Sequence, residues 1–164
     1  MKHQEVAIID SFQTSLSVKP DNGEYVINPE ALRINRIDLV KHDDVAITYS
    51  KAGGLTRDFI WKHSKNGKIK LIPMGKNVPF DVEKFCDHVL NKKTWNQYVS
   101  YRCYDITPLI IYLKRVGKLP QDAPESLEGL AKFIEFDFVP HTAKGDNYAG
   151  IAVIKWLEGL CRTT

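Results

Sequence analysis

Four stretches of the chain place apolar residues at helical spacing, which predicts a helix with one buried face. A fifth helix, residues 108–114, is predicted because proline suits a first turn and Gly117 follows the end. A helix is expected to begin at or just after Asp81, and a long one follows Asp146 and Asn147, which stand in its cap positions. The predicted helices cover residues 55–60, 82–90, 108–114, 127–134 and 149–160.

Other apolar runs predict strands. The apolar positions of residues 6–18 suit one long strand or two, and residues 19–23 have the composition of a turn. Residues 24–29 predict a strand ended by proline, so a hairpin is expected at the N-terminus. A further strand over residues 69–74 follows a predicted helix, whereas residues 33–50 predict only loop with short helical pieces. The alternation of helix and strand predicts an α/β fold.

Composition narrows the class of protein. Residues 1–164 are expected to form a single domain, because a chain of this length buries a sufficient core. A hydrophobic share of 43% and a charged share of 26% are typical of a soluble globular protein. The first residues lack the features of a signal peptide and no apolar run predicts a membrane span, so a cytoplasmic protein with no membrane partner is expected.

The net charge and the cysteines give little further information about the function. The net charge of +3 is compatible with a polyanionic partner but does not require one. The three cysteines are odd in number and widely spaced, which favours reduced thiols. Cys86 and His88 form half of a zinc site, but no second pair completes four ligands, so zinc is not expected.

Asp81 lies where a predicted strand has ended and a helix begins, in the segment 77–81 (Asn-Val-Pro-Phe-Asp). Such a junction holds a carboxylate on rigid scaffold, where it suits a metal ligand. The position also suits an ordinary helix cap or first-turn aspartate, which the helix dipole favours. Both interpretations stay open from this motif alone.

A second candidate lies near the C-terminus, where His141 is followed five residues later by Asp146 at the head of the last predicted helix. A histidine can take a proton from water, and an aspartate beside it can hold a divalent cation that makes the water more acidic. An exposed loop histidine and a capping aspartate would give the same pattern.

The two motifs together are specific. Asn77-x-x-Phe80-Asp81 resembles the second motif of the DEDDh family of 3′-5′ exonucleases, and His141-x4-Asp146 resembles the third. Residues 104–109 are similar to the Asp-Thr-Leu segment of that family, and residues 126–130 to its Ser-Leu-x-x-Leu helix. Order and spacing agree across roughly residues 68–160, and a match of residues 25–30 to an earlier strand would extend the resemblance towards the N-terminus.

The resemblance implies an RNase H-like fold, with a mixed sheet flanked by helices. It implies removal of nucleotides from the 3′ end of DNA or RNA with two divalent metal ions, Mg²⁺ or Mn²⁺. Asp81 and Asp146 would be metal ligands and His141 the general base. One small departure is Lys76, where such proteins often have histidine.

The first family motif, Asp-x-Glu on the central strand, is degenerate or missing. In one alignment Asp10 is the metal ligand and Phe12 replaces the glutamate, which removes a carboxylate. In the other, which the short spacing from Asp10 to Pro29 favours, the chain begins after the motif and Asp10 is no ligand. The first central strand would then be replaced by a partner chain, by a second copy of this chain or by residues 6–16.

The sequence therefore predicts a 3′-5′ exonuclease-like hydrolase of reduced activity. The alternative is a catalytically inactive module that keeps the fold and binds nucleic acid or protein. Lysines around the second motif suit either function or a plain solvated surface; they are Lys68, Lys70, Lys76, Lys92 and Lys93.

Overall fold

A computed structural model describes residues 7–18, 28–35 and 37–162. Within these ranges the chain is a mostly helical α/β protein, which confirms the predicted class. In chain order its elements are α1 (Pro29–Ile34), α2 (Leu39–Val45), α3 (Tyr49–His63), β1 (Met74–Gly75), α4 (Val78–His88), α5 (Lys92–Tyr98), β2 (Tyr104–Asp105), α6 (Ile106–Arg115), α7 (Leu127–Phe133) and α8 (Ala143–Arg162).

The sheet of the described residues is small. Strands β1 and β2 pair in parallel, with Met74 opposite Tyr104 and Gly75 opposite Asp105. Two isolated parallel bridges join Leu71 to Val99 and Leu16 to Ile47. The strand predicted before Gly75 is thus confirmed at its end but is much shorter than expected.

The strand prediction for residues 6–18 is wrong over the described residues 7–18, where only the bridge at Leu16 is regular. Ile9 in that apolar run is 87% exposed, so burial does not favour a strand there. The predicted turn at residues 19–23 and most of the following strand lie outside the described residues. Pro29 begins α1 rather than ending a strand, because Asn28 accepts hydrogen bonds from Glu30 N–H and Ala31 N–H as an N-cap.

The chain divides into two compact units. The C-terminal unit comprises Met1–Ser11, Met74–Val78 and Tyr104–Thr164, and the central unit comprises Phe12–Pro73 and Pro79–Cys103. The single domain expected for residues 1–164 stays a prediction.

The C-terminal unit packs α6, α7 and α8 around one apolar core. The three helices bury residues at the spacings of one helical face, which explains why periodicity located α7 and α8. Core residues that are at most 2% exposed are Ile106, Ile110, Leu113, Leu119, Leu130, Val153, Ile154 and Leu157.

The central unit has a smaller core between α3, α4 and α5. Ile60, Leu90 and Val99 form its buried centre, and the rings of Phe85 and Trp95 pack beside them with centroids 5.3 Å apart. Helix α5 was not predicted, because its seven residues are too short to show a period.

Two predicted helix starts are wrong by a few residues. Helix α4 begins at Val78 rather than at or after Asp81, because the carboxylate of Asp105 caps it from a distant part of the chain. Helix α8 begins at Ala143, so Asp146 lies within its first turn and not in a cap position. Predictions for α6 and α7 are confirmed: Ser126 is the N-cap of α7, and Gly117, which follows α6, has a positive φ of 73°.

Among the described residues, no helix is both long enough and apolar enough to cross a membrane.

Candidate active site

The loop before α8 ties His141 to Asp146. The backbone N–H of His141 donates to Oδ1 of Asp146 across 3.3 Å, and Asp146 N–H in turn donates to the Thr142 carbonyl across 2.9 Å. His141 is exposed and has a φ of 61°, an uncommon conformation for a residue other than glycine or asparagine. The structure therefore brings together the two residues of the predicted third motif.

A local hydroxyl and a glycine close this loop. Thr142 Oγ1 donates to the Val139 carbonyl at 2.9 Å and accepts the Gly145 N–H at 3.1 Å. A Cβ atom at Gly145 would collide with the Val139 carbonyl oxygen and come within 2.6 Å of Thr142 Oγ1. Only glycine fits at position 145, because a Cβ atom would overlap these neighbouring atoms.

A shallow cavity of about 340 Å³ opens on the same loop. The ring centroids of Phe136 and Phe138 lie 6.5 Å apart, and Lys144 Nζ lies 6.0 Å from the centre of the Tyr148 ring. Aromatic rings of this kind offer contact to a flat ligand, and the cavity is lined by one cation, Lys144, and one carboxylate, Asp137. The cavity is lined by Phe136, Asp137, Phe138, Val139, Thr142, Lys144, Gly145 and Tyr148.

These aromatic residues were not singled out from the sequence. Phe136 and Phe138 alternate with acidic residues and precede Pro140. This pattern predicts neither a helix nor a known motif. Their partly buried rings face the cavity because the segment runs as an irregular loop into α8.

Glu128 is a second carboxylate in the electrostatic surroundings of His141. Its hydrogen bond to Lys132, at 2.8 Å, lowers the pKa of the Glu128 carboxyl, and the nearby charge of His141 lowers it further. The sequence offered Glu128 only as part of a helix resemblance. Its position in the first turn of α7, two residues after the Ser126 cap, is the signal that locates it.

Asp81 lies in the first turn of α4, directly after β1. Burial raises the pKa of its carboxyl above the ordinary value, although the residue as a whole is exposed. Asp81 belongs to the central unit, whereas His141 and Asp146 belong to the C-terminal unit. Convergence of the three residues in one cleft stays a prediction.

The start of α4 is held by Asp105. The Asp105 carboxylate accepts N–H groups from Asn77 at 3.1 Å, Val78 at 3.0 Å and Thr107 at 2.8 Å. Partial burial opposes ionisation, but these hydrogen bonds outweigh it and hold the pKa of Asp105 below its usual value. One carboxylate thus caps both α4 and α6, which gives the Asp-Thr-Leu resemblance a structural role here.

Asp10 and Phe12 are the candidates for the degenerate first motif. The exposed Asp10 accepts the N–H of Ser11 at 2.8 Å through its carboxylate. The Phe12 ring lies 5.8 Å from the Phe59 ring, centroid to centroid, within the central unit. Phe12 therefore makes an apolar contact in the central unit.

Oxygen ligands from one or two carboxylates, completed by water and substrate phosphate, are what Mg²⁺ commonly takes. Asp81 and Asp146 each carry a carboxylate of this kind. Within residues 7–18, 28–35 and 37–162, no three His, Cys, Asp or Glu side chains cluster closely enough to form a metal site by themselves. Comparisons of the chain with protein-family models, with curated proteins and with solved structures give no match.

Proposed function

We propose that this chain is a 3′-5′ exonuclease-like protein of the DEDDh type that acts on DNA or RNA with reduced activity. The observation that carries the proposal is the pairing of His141 with Asp146 at the head of α8, beside a cavity walled by aromatic rings. The proposal includes an RNase H-like fold, which the parallel pairing of β1 with β2 supports.

In this proposal Asp81 and Asp146 hold the divalent ions. When bound, Mg²⁺ or Mn²⁺ would acidify a water molecule and neutralise charge on the phosphodiester. The imidazole of His141 takes the proton of the attacking water, and the hydrogen bond from the His141 backbone N–H to Asp146 keeps this residue at the head of α8. The terminal base stacks on the rings of the cavity, with Lys144 beside them.

Reduced activity follows from the first motif. In either alignment the chain lacks at least one carboxylate of the first motif, and losing a metal carboxylate removes part of the charge stabilisation of the transition state. The contact of Phe12 with Phe59 supports the alternative function as well. In that case the chain is an inactive module that binds nucleic acid or protein and uses position 12 for packing.

The test is degradation of a 3′-labelled oligonucleotide with Mn²⁺ present. We expect slow trimming that EDTA abolishes and that His141→Asn slows by about 100-fold, since a general base contributes at least that much. Asparagine is the matched replacement because it tolerates the positive φ of residue 141. Asp146→Asn keeps an acceptor for the His141 N–H and loses only the charge.

Asp87→Asn is the control, because Asp87 is an exposed aspartate of the same helix as Asp81. It should leave trimming unchanged, whereas Asp81→Asn should remove it. Absence of trimming with retained oligonucleotide binding would favour the inactive module. Fast trimming that survives Asp81→Asn and Asp146→Asn would contradict the assignment of both residues.

A further inference from the structure

Two segments of the central unit carry positive charge and no carboxylate. Residues 59–73 and 88–103 contain no Asp or Glu. Their cations are Lys62, Lys65, Lys68, Lys70, Lys92, Lys93 and Arg102. Such a bias is unusual in a chain whose acidic residues almost equal its basic ones, 20 against 23.

The fold places the two segments side by side. Leu71 N–H donates to the Tyr98 carbonyl at 2.8 Å, and Ser100 N–H donates to the Leu71 carbonyl at 2.7 Å. Lys70 Nζ donates to the Gln97 carbonyl at 2.9 Å, at the negative end of α5. Because a helix of this length spans only about 10 Å, the lysines at the start of α5 lie about that far along its axis from the end that Lys70 contacts.

The turn that carries Lys65 and Lys68 has a defined conformation. Lys65, Asn66 and Gly67 have successive φ values of 51°, 58° and 81°. Ser64 is fully buried beneath them, where its Oγ donates to the Trp61 carbonyl at 2.9 Å and accepts the Gly67 N–H at 3.0 Å. A lysine in the left-handed region is uncommon, and strained residues of this kind cluster at functional sites.

The lysines of this turn and of α5 are available to a ligand. Lys65, Lys68, Lys92 and Lys93 are exposed, and in the part of the chain that the structure describes they form no ion pair. A phosphate would therefore not have to displace a carboxylate from them. Desolvation and pairing costs are small for such a contact.

Exposed aromatic rings accompany these charges. Tyr101, two residues after the Leu71–Val99 bridge, is 86% exposed, and the Arg102 guanidinium lies 5.6 Å from the centre of its ring. Trp61, at the other end of the turn, is 46% exposed. An aromatic ring this open offers a stacking face to a flat ligand.

We propose that Lys65, Lys68, Lys70, Lys92, Lys93, Tyr101 and Arg102 form a basic surface that binds single-stranded nucleic acid. Lysines bind successive phosphates and Tyr101 stacks on a base, the combination that binds single strands without sequence preference. Double-stranded nucleic acid fits this surface less well, because its bases are stacked on one another and cannot stack on Tyr101. An acidic protein could pair with the lysines but would make no use of the exposed rings. The surface contains none of Asp81, His141 or Asp146, so its binding needs neither metal nor hydrolysis.

The test is fluorescence anisotropy of labelled 12-nucleotide thymidine and uridine strands, titrated with the full chain in EDTA at several salt concentrations. We expect a binding constant whose logarithm falls linearly with the logarithm of salt concentration. The pair Lys65→Gln and Lys68→Gln should weaken binding by about tenfold and reduce the salt slope by about 1.4. Tyr101→Ala should weaken binding by about fivefold and leave the salt slope unchanged.

The matched control is the pair Lys41→Gln and Lys51→Gln, which removes the same charge from exposed lysines of the same unit. It should bind like the unmodified chain, and circular dichroism should show all variants folded. Equal losses in both pairs, or no binding of the unmodified chain at about 50 mM salt, would overturn the proposal. The proposal would also be overturned if a duplex of equal length bound with the same affinity and Tyr101→Ala did not change the binding.

Discussion

The double cap formed by Asp105 leads to a specific prediction for stability. Asp105→Ala removes the acceptor for the N–H groups of Asn77, Val78 and Thr107 and leaves two helix starts uncapped. A lost cap costs about 1 kcal/mol, and a hydrogen bond to a charged group about 1.5–3 kcal/mol when water cannot replace it. Since Asp105 is only half-buried, we expect the free energy of unfolding to fall by about 2–4 kcal/mol.

Urea unfolding followed by far-ultraviolet circular dichroism measures this change. The control is Asp38→Ala, because Asp38 caps only α2, is exposed, and accepts N–H groups at 3.1 and 3.4 Å. It should cost about 0.5–1 kcal/mol. A loss for Asp105→Ala that does not exceed the loss for Asp38→Ala would refute the idea that one carboxylate holds both helices.

The same carboxylate predicts a pH dependence. Because the folded pKa of Asp105 lies below its ordinary value of 3.8, its stabilising effect is fully present above about pH 4. The effect is lost as pH falls through the folded pKa. The difference in stability between the unmodified chain and Asp105→Ala should therefore be constant from about pH 5 to 7 and shrink below about pH 3; a difference that grows on acidification would contradict the hydrogen-bond assignment.

Three further changes have defined outcomes. Gly145→Ala should lower the free energy of unfolding by about 1–3 kcal/mol because its Cβ meets the Val139 carbonyl, whereas Gly150→Ala in the same helix, with open space around it, should raise it by about 0.5–1 kcal/mol in urea unfolding. Asp81→Asn should raise the urea midpoint at pH 7 but not at pH 3, because burial raises the folded pKa and so disfavours the charged form that is present only at the higher pH. Asp10→Asn should leave Mn²⁺ affinity unchanged in calorimetry; a clear loss would make Asp10 a ligand.

Local signals predicted the helices that are built from local interactions. Ser126 accepts the Gly129 N–H at 3.0 Å as a normal N-cap, and α7 buries Leu130 and Ala131, which periodicity selected. Helix α6 was predicted from Pro108 in its first turn and from Gly117 after its end. Helix α4 starts earlier than predicted because its cap, Asp105, lies 27 residues from Val78 along the chain. A prediction made from neighbouring residues cannot detect a contact between residues so far apart along the chain.

The prediction of a strand near the N-terminus was wrong for a different reason. An apolar run predicts a buried strand only if a neighbour covers it, and Ile8 and Ile9 are 48% and 87% exposed. The His141–Asp146 pairing, in contrast, follows from a spacing of five residues at a helix start and could be foreseen. The cavity beside it could not, because irregular backbone determines where Phe136 and Phe138 lie.

The proposal that Asp81 and Asp146 are both metal ligands is tested most directly by a double-mutant cycle of Mn²⁺ binding. Calorimetry would be run on the unmodified chain, Asp81→Asn, Asp146→Asn and the double variant, with Asp87→Asn as control. If the carboxylates share the metal, each single change weakens binding by at least about tenfold, and the double variant loses less than the sum by about 1 kcal/mol or more. Strictly additive losses, or Mn²⁺ binding that neither change affects, would contradict a shared site.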